Sequence, residues 1–159
     1  MMIFDRTQSD VAAAISLRDT KIKNFQQLTQ AETETLERGM LTINTLNRIE
    51  DKEAELGAIL KAWNYISFDI EPKKWGINDI FKKDDFSRLT NNATKLRNAF
   101  SKEIGNQKKL TVAYSWQALN ALEKLIYDIE QATVSAKKNF NYCGAFNAGA
   151  LKVLNLEGL

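Results

Sequence analysis

The sequence predicts a mainly α protein: a helical bundle of about four to five helices with a small β element and a C-terminal tail. Three observations carry that prediction. Glycine (7) and proline (1) are scarce among the 159 residues, so the chain has few turn signals. Apolar residues recur at spacings of three and four over long stretches. Side chains suited to open a helix stand directly before those stretches.

Thr7-Gln8-Ser9-Asp10 is a capping pattern, in which hydroxyl and carboxylate satisfy the free N–H groups of a first turn. Val11, Ile15, Ile22 and Phe25 then share one apolar face, and Ser16 to Asp19 repeats the capping pattern inside the expected helix. Thr29-Gln30-Ala31-Glu32 opens a second helix, and Gly39 is placed to close it in the left-handed conformation. A third helix runs from Thr42 to about Trp63, with Leu46, Ile49, Leu56, Leu60 and Trp63 on a seam interrupted by Glu53.

Residues 64–83 show no helical period and hold Pro72, yet Tyr65, Phe68, Trp75 and Phe81 make the segment too aromatic for a mobile linker. We read it as packed down. Within it Ile66, Phe68 and Ile70 alternate with Ser67 and Asp69, as a short strand does. Asp84 is a suitable cap for a fourth helix to about Ile104, with Phe86, Leu89, Ala93, Leu96 and Phe100 on its apolar face. Leu110, Val112 and Tyr114 alternate again. The longest helix starts near Ser115 and keeps a heptad through Leu119, Leu122, Ile126, Ile129, Thr133, Ala136 and Phe140. After Phe140 the period stops, and three of the seven glycines fall at Gly144, Gly149 and Gly158. The expected division is therefore a bundle domain over 1–140 and a tail over 141–159. The sustained heptad and the apolar tail suggest an interface made by Leu119, Leu122, Ile126, Ile129, Phe140, Phe146, Leu151 and Leu154.

The chemistry expected of an enzyme is missing. The chain has no histidine, which removes Ser–His and Cys–His pairs and most catalytic zinc sites. No glycine-rich phosphate loop occurs, so no nucleotide cofactor, and no cofactor of any kind, is expected. Glu50, Asp51, Glu53 and Glu55 cluster on one helix, with Arg48 and Lys52 interleaved. A solvated helix surface accounts for them more simply than a metal or acid/base site. The lone Cys143 excludes an internal disulfide and has no basic partner near it in sequence. With 22 basic and 20 acidic residues, net +2, the charge does not point to nucleic acid or to a membrane surface. The lysine pairs, such as Lys73-Lys74 and Lys82-Lys83, have acids nearby. No apolar run approaches the roughly 20 residues that cross a bilayer, and the N-terminus lacks the features of a signal peptide.

Two segments echo one another. Thr45-Leu46-Asn47-Arg48-Ile49 aligns with Asp85-Phe86-Ser87-Arg88-Leu89, and further on Leu56 aligns with Leu96. Two amphipathic helices presenting the same stripe, with an arginine beside it, suit an antiparallel pair.

These residues carry a family resemblance. The run from Glu37 to Glu50, centred on Leu46-Asn47-Arg48-Ile49-Glu50, resembles the helix of a small protein family in tailed phages and prophages of Gram-positive bacteria. Lys74 to Ile80 followed by Asp85 to Leu89, and the opening Ile3 to Val11, are similar to segments of the same family in the same order. The likeness spans about residues 3–143. Ser87 stands where asparagine is expected and Thr90 where glutamate is common, so the second repeat is degenerate. The resemblance implies a non-enzymatic structural component of a particle tail, at the baseplate or the tail-fibre attachment. Such a protein would be made in the bacterial host cytoplasm and assembled into the virion or phage-like particle. It would contact other tail or baseplate proteins and form a homo-oligomer. The alternative is a non-viral helical-bundle adaptor or regulator that binds one protein partner.

Overall fold

The computed structural model describes residues 2–100 and 115–143. Five α-helices form among them: α1 (Gln8–Leu17), α2 (Gln30–Gly39), α3 (Ile43–Ala62), α4 (Lys83–Ala99) and α5 (Trp116–Cys143). The helical bundle predicted from the sequence is present. The helix starts follow local chemistry. Thr7 and Asp10, and again Thr29 and Glu32, form reciprocal capping boxes. Thr42 Oγ1 accepts from the Thr45 N–H at 3.2 Å, and Ser115 Oγ accepts from Ala118 at 3.1 Å. α4 begins slightly before its expected cap. Asp85 accepts from the Lys82 N–H at 2.9 Å, and Asp84 lies inside the first turn.

The core is built by α3, α4 and α5, whose buried faces include Leu46, Ile49, Leu56 and Leu60, then Phe86, Leu89, Ala93 and Leu96, then Leu119, Leu122, Ile126 and Ile129. Each fully buried Leu, Ile or Phe contributes about 1.5–3 kcal/mol. The helices run parallel, which corrects the expected antiparallel pair. Arg88 reaches Glu50 while Asn92 reaches Glu53, so both chains advance in the same direction. Arg48 with Glu123 and Lys52 with Glu130 give the same reading for α3 and α5. The C-terminal ends of α3 and α4 also meet, with Tyr65 and Phe100 rings 5.9 Å apart.

A parallel neighbour needs a return path, and that is what the aromatic connector supplies. It runs back along α3: Asp69 pairs with Lys61, Ile70 covers Gly57, the Lys73 N–H meets Glu50, and Trp75 meets Asn47. The six steps of extended chain from Asp69 to Trp75 reach about 20 Å, the rise of the 14 helical steps from Asn47 to Lys61. Gly57 is needed for this contact, because a Cβ there would lie 3.3 Å from the Ile70 side chain. Trp75 is buried (5% exposed) and packs against Phe81 with the rings tilted at 60°. The connector is thus packed, as its composition predicts. Ile66, Phe68 and Ile70 are buried or half-buried and alternate with exposed Ser67 and Asp69, but the segment forms no strand, because its neighbour is a helix with no backbone groups to share. The second expected strand, Leu110 to Tyr114, lies outside the described residues.

α1 and α2 form a hairpin that projects from the bundle; a π-helical turn (Arg18–Ile22) extends α1, and residues 23–29 connect it to α2. Two expectations change here. Gly39 does not take the left-handed conformation; it ends α2 buried against α1, where a Cβ would collide with the Asp10 carbonyl and the Ala14 methyl. Because the small residues Ala14 and Gly39 make this close contact, the apolar face of α1 stays outside: Ile15 is 40% and Ile22 43% exposed.

Candidate functional site

Two matching clamps organise the polar interior. On α3, Asn47 and Glu50 stand one turn apart and face the same way. The Asn47 side chain grips the Trp75 backbone from both sides, accepting from its N–H at 2.8 Å and donating to its carbonyl at 3.1 Å. Glu50, fully buried, accepts from the Trp75 indole at 3.0 Å and from the Lys73 N–H at 3.2 Å. Arg88 of α4 completes the site with a two-pronged contact to the same carboxylate.

On α5 an Asn and a Glu at the same spacing form a related arrangement. The Asn120 amide donates to the Arg6 carbonyl at 3.0 Å and accepts from the Arg6 guanidinium at 3.1 Å. Glu123 is buried and paired with Arg6, and it accepts from Arg48 of α3 at 2.8 Å and from the Ile3 N–H at 3.4 Å. Phe4 packs on Tyr127 beside it, ring centroids 5.0 Å apart. Each clamp holds an extended segment against a helix and is closed by an arginine from a neighbouring helix. The two arginines of the internal echo, Arg48 and Arg88, therefore have one role.

The sequence carried a signal for the second clamp. Leu119-Asn120-Ala121-Leu122-Glu123 repeats Leu46-Asn47-Arg48-Ile49-Glu50 with one substitution of type, and aligning the two would have paired Asn120 with Asn47 and Glu123 with Glu50. The carboxylate cluster reads differently from its sequence expectation. Asp51 and Glu55 are exposed, whereas Glu50 and Glu53 are fully buried, because partners 25–39 residues away cover them. Among the described residues, no group of three His, Cys, Asp or Glu side chains is placed to hold a metal ion.

Of the interface residues expected on the last helix, Leu119, Leu122, Ile126 and Ile129 are 0–5% exposed, so their surface is used within the chain. That heptad is a core seam of a parallel bundle and leaves no apolar stripe outside at these four positions. α5 continues through Phe140 to Cys143, and the side chain of Phe140, with Phe146, Leu151 and Leu154, lies outside the described residues.

Among the described residues, the most exposed large apolar side chain is at the hairpin tip. Phe25 is 97% exposed and sits at φ 54°, in the left-handed region. Two hydrogen bonds define the setting: the Phe25 N–H to the Ile22 carbonyl and the Gln26 N–H to the Lys21 carbonyl, both 3.0 Å. This is the helix-closing motif whose left-handed position normally belongs to glycine or asparagine. The end of α3 uses the identical motif with Asn64 at φ 59°. The charges around the tip are satisfied locally: Asp19 by Arg18 and Lys23, each at 2.9 Å, and Glu32 by Lys21. These hydrogen bonds hold both carboxyls well below the usual carboxylate range, at about 2. Ile77 (89% exposed) and Ile80 (76%) make a second apolar point on the turn from Gly76 to Asp79.

Comparison with protein-family models, curated proteins and solved structures gives no match. No helix in the described residues is long and apolar enough to cross a membrane.

Proposed function

We propose that this chain is a non-enzymatic structural component of a phage or phage-like particle tail, at the baseplate or tail-fibre attachment, and that it joins other tail proteins through the tip of the α1–α2 hairpin. The phage reading is supported by the sequence resemblance around Leu46 to Glu50, Lys74 to Ile80 and Asp85 to Leu89. The docking reading is carried by one observation: Phe25. A bulky aromatic in the left-handed region is strained by an amount of order 1 kcal/mol, and its full exposure wastes apolar area. Glycine or asparagine would close the helix better, so nothing in the isolated fold accounts for phenylalanine there. Exposed aromatic anchors ringed by locally satisfied charges are typical of residues that fill a pocket on a partner protein.

The test replaces Phe25 with Asn, the residue that closes α3. The Phe25→Asn variant should melt at the parent temperature or above it, since it relieves the strained position. It should also be lost from purified particles, as read by quantitative mass spectrometry. Normal incorporation of the variant would remove the hairpin tip as the contact. Absence of the parent protein from purified particles would remove the phage reading and leave the single-partner adaptor.

A further inference from the structure

We infer that Glu53 is a proton-operated latch: the core of α3, α4 and α5 closes around its neutral carboxyl group and loses stability when the proton leaves. The placement argues for this. In the sequence repeats, the position that Glu53 holds on α3 is taken by Ile126 on α5, aligned through Leu119–Glu123, and by Ala93 on α4, aligned through Arg88. Both counterparts are apolar and 0% exposed, as Glu53 is. Glu53 thus stands, fully buried, at a repeat position that α4 and α5 fill with an apolar residue.

Its surroundings do not compensate a charge. Among the described residues, Glu53 Oε2 accepts one hydrogen bond, from the neutral Asn92 side-chain amide of α4 at 3.2 Å. Its Oε1 is buried without a hydrogen-bond partner. Among the described residues, the charged groups facing it are Glu50, one turn away on α3, and Arg88 on α4, and these two are committed to each other. α5 brings Glu123 and Glu130 to α3, where Arg48 and Lys52 hold them. Burial, foremost, and the Glu50 carboxylate push the Glu53 pKa well above the ordinary 4.5, while Asn92 and Arg88 oppose them without prevailing. Turned end for end, the Asn92 amide accepts from the protonated acid at the same distance, so one contact suits the neutral form.

The direction of the pH response follows. Below about 4.5 the carboxyl is protonated in both folded and unfolded chains, and the latch is closed. Above it the unfolded chain releases the proton that the fold retains, so stability falls as pH rises toward the folded pKa.

The experiment compares urea unfolding of the parent chain and Glu53→Gln across this range. The parent-to-variant ratio of unfolding constants should rise about tenfold for each pH unit above roughly 4.5, the response of a single retained proton. A ratio that stays flat from about pH 5 to 8 overturns the inference. Carbon NMR of the parent Glu53 carboxyl gives a second reading that does not require the variant to fold. A carboxyl that stays neutral at pH values where the unfolded chain's carboxyls are ionised supports the latch, and one that ionises near the ordinary 4.5 overturns it.

Discussion

Removing Arg88 tests whether the clamp on α3 is held by charge. Arg88→Met keeps much of the side-chain stem but leaves the Glu50 carboxylate, 0% exposed, with only the Trp75 indole and the Lys73 N–H. Stripping one partner from a buried pair typically costs about 3–5 kcal/mol. The Arg88 side chain is 34% exposed, so water already screens part of the interaction and the lower end, near 3 kcal/mol, is expected. For a chain of this length, each kcal/mol shifts the melting temperature by roughly 2–4 °C, which gives a drop of about 6–12 °C in calorimetry. Adding Glu50→Gln to that background removes the stranded charge and keeps an oxygen for the indole, so the double variant should recover part of the loss. A single variant within about 2 °C of the parent would refute the reasoning, since that is the scale of a surface pair. A double variant no better than the single one would trace the loss to packing of the arginine stem instead.

Two further outcomes follow from the packing. Trp75→Ala should lower stability by about 3–5 kcal/mol, seen as an earlier urea midpoint, because it removes a buried ring and one of the donors to the buried Glu50 carboxylate. Gly39→Ala places a methyl group against the Asp10 backbone and Ala14, and should separate α1 from α2 at a cost of about 1–3 kcal/mol; amide exchange in α1 should accelerate while that of α5 stays unchanged.

Local features were legible in the sequence and long-range ones were not. Thr7 with Asp10 and Thr29 with Glu32 lie three residues apart, so their caps could be read directly. The seams of α3, α4 and α5 followed from spacing alone. The face of α1 was misread because periodicity reports which residues are apolar, not which are small; Ala14 and Gly39 won the inner position by allowing closer approach. Glu50 and Glu53 look like surface residues until Arg88 and Asn92, 38 and 39 positions later, are folded over them. The direction of α4 depended on the path of the connector, which is fixed by contacts such as Asn47 with Trp75, 28 positions apart. Only the Leu-Asn-x-(Ile/Leu)-Glu repeat at 119–123 was both local and overlooked.

Because α3, α4 and α5 all run the same way, their peptide dipoles add instead of cancelling. Each helix presents about half a positive charge at its start and half a negative charge at its end. The end bearing Ile43, Lys83 and Trp116 is therefore electrically unlike the end bearing Ala62 and Ala99. An antiparallel bundle of the same composition would look much alike from above and below. This one has a built-in up and down, and any neighbour stacked along its axis meets a different potential at each end.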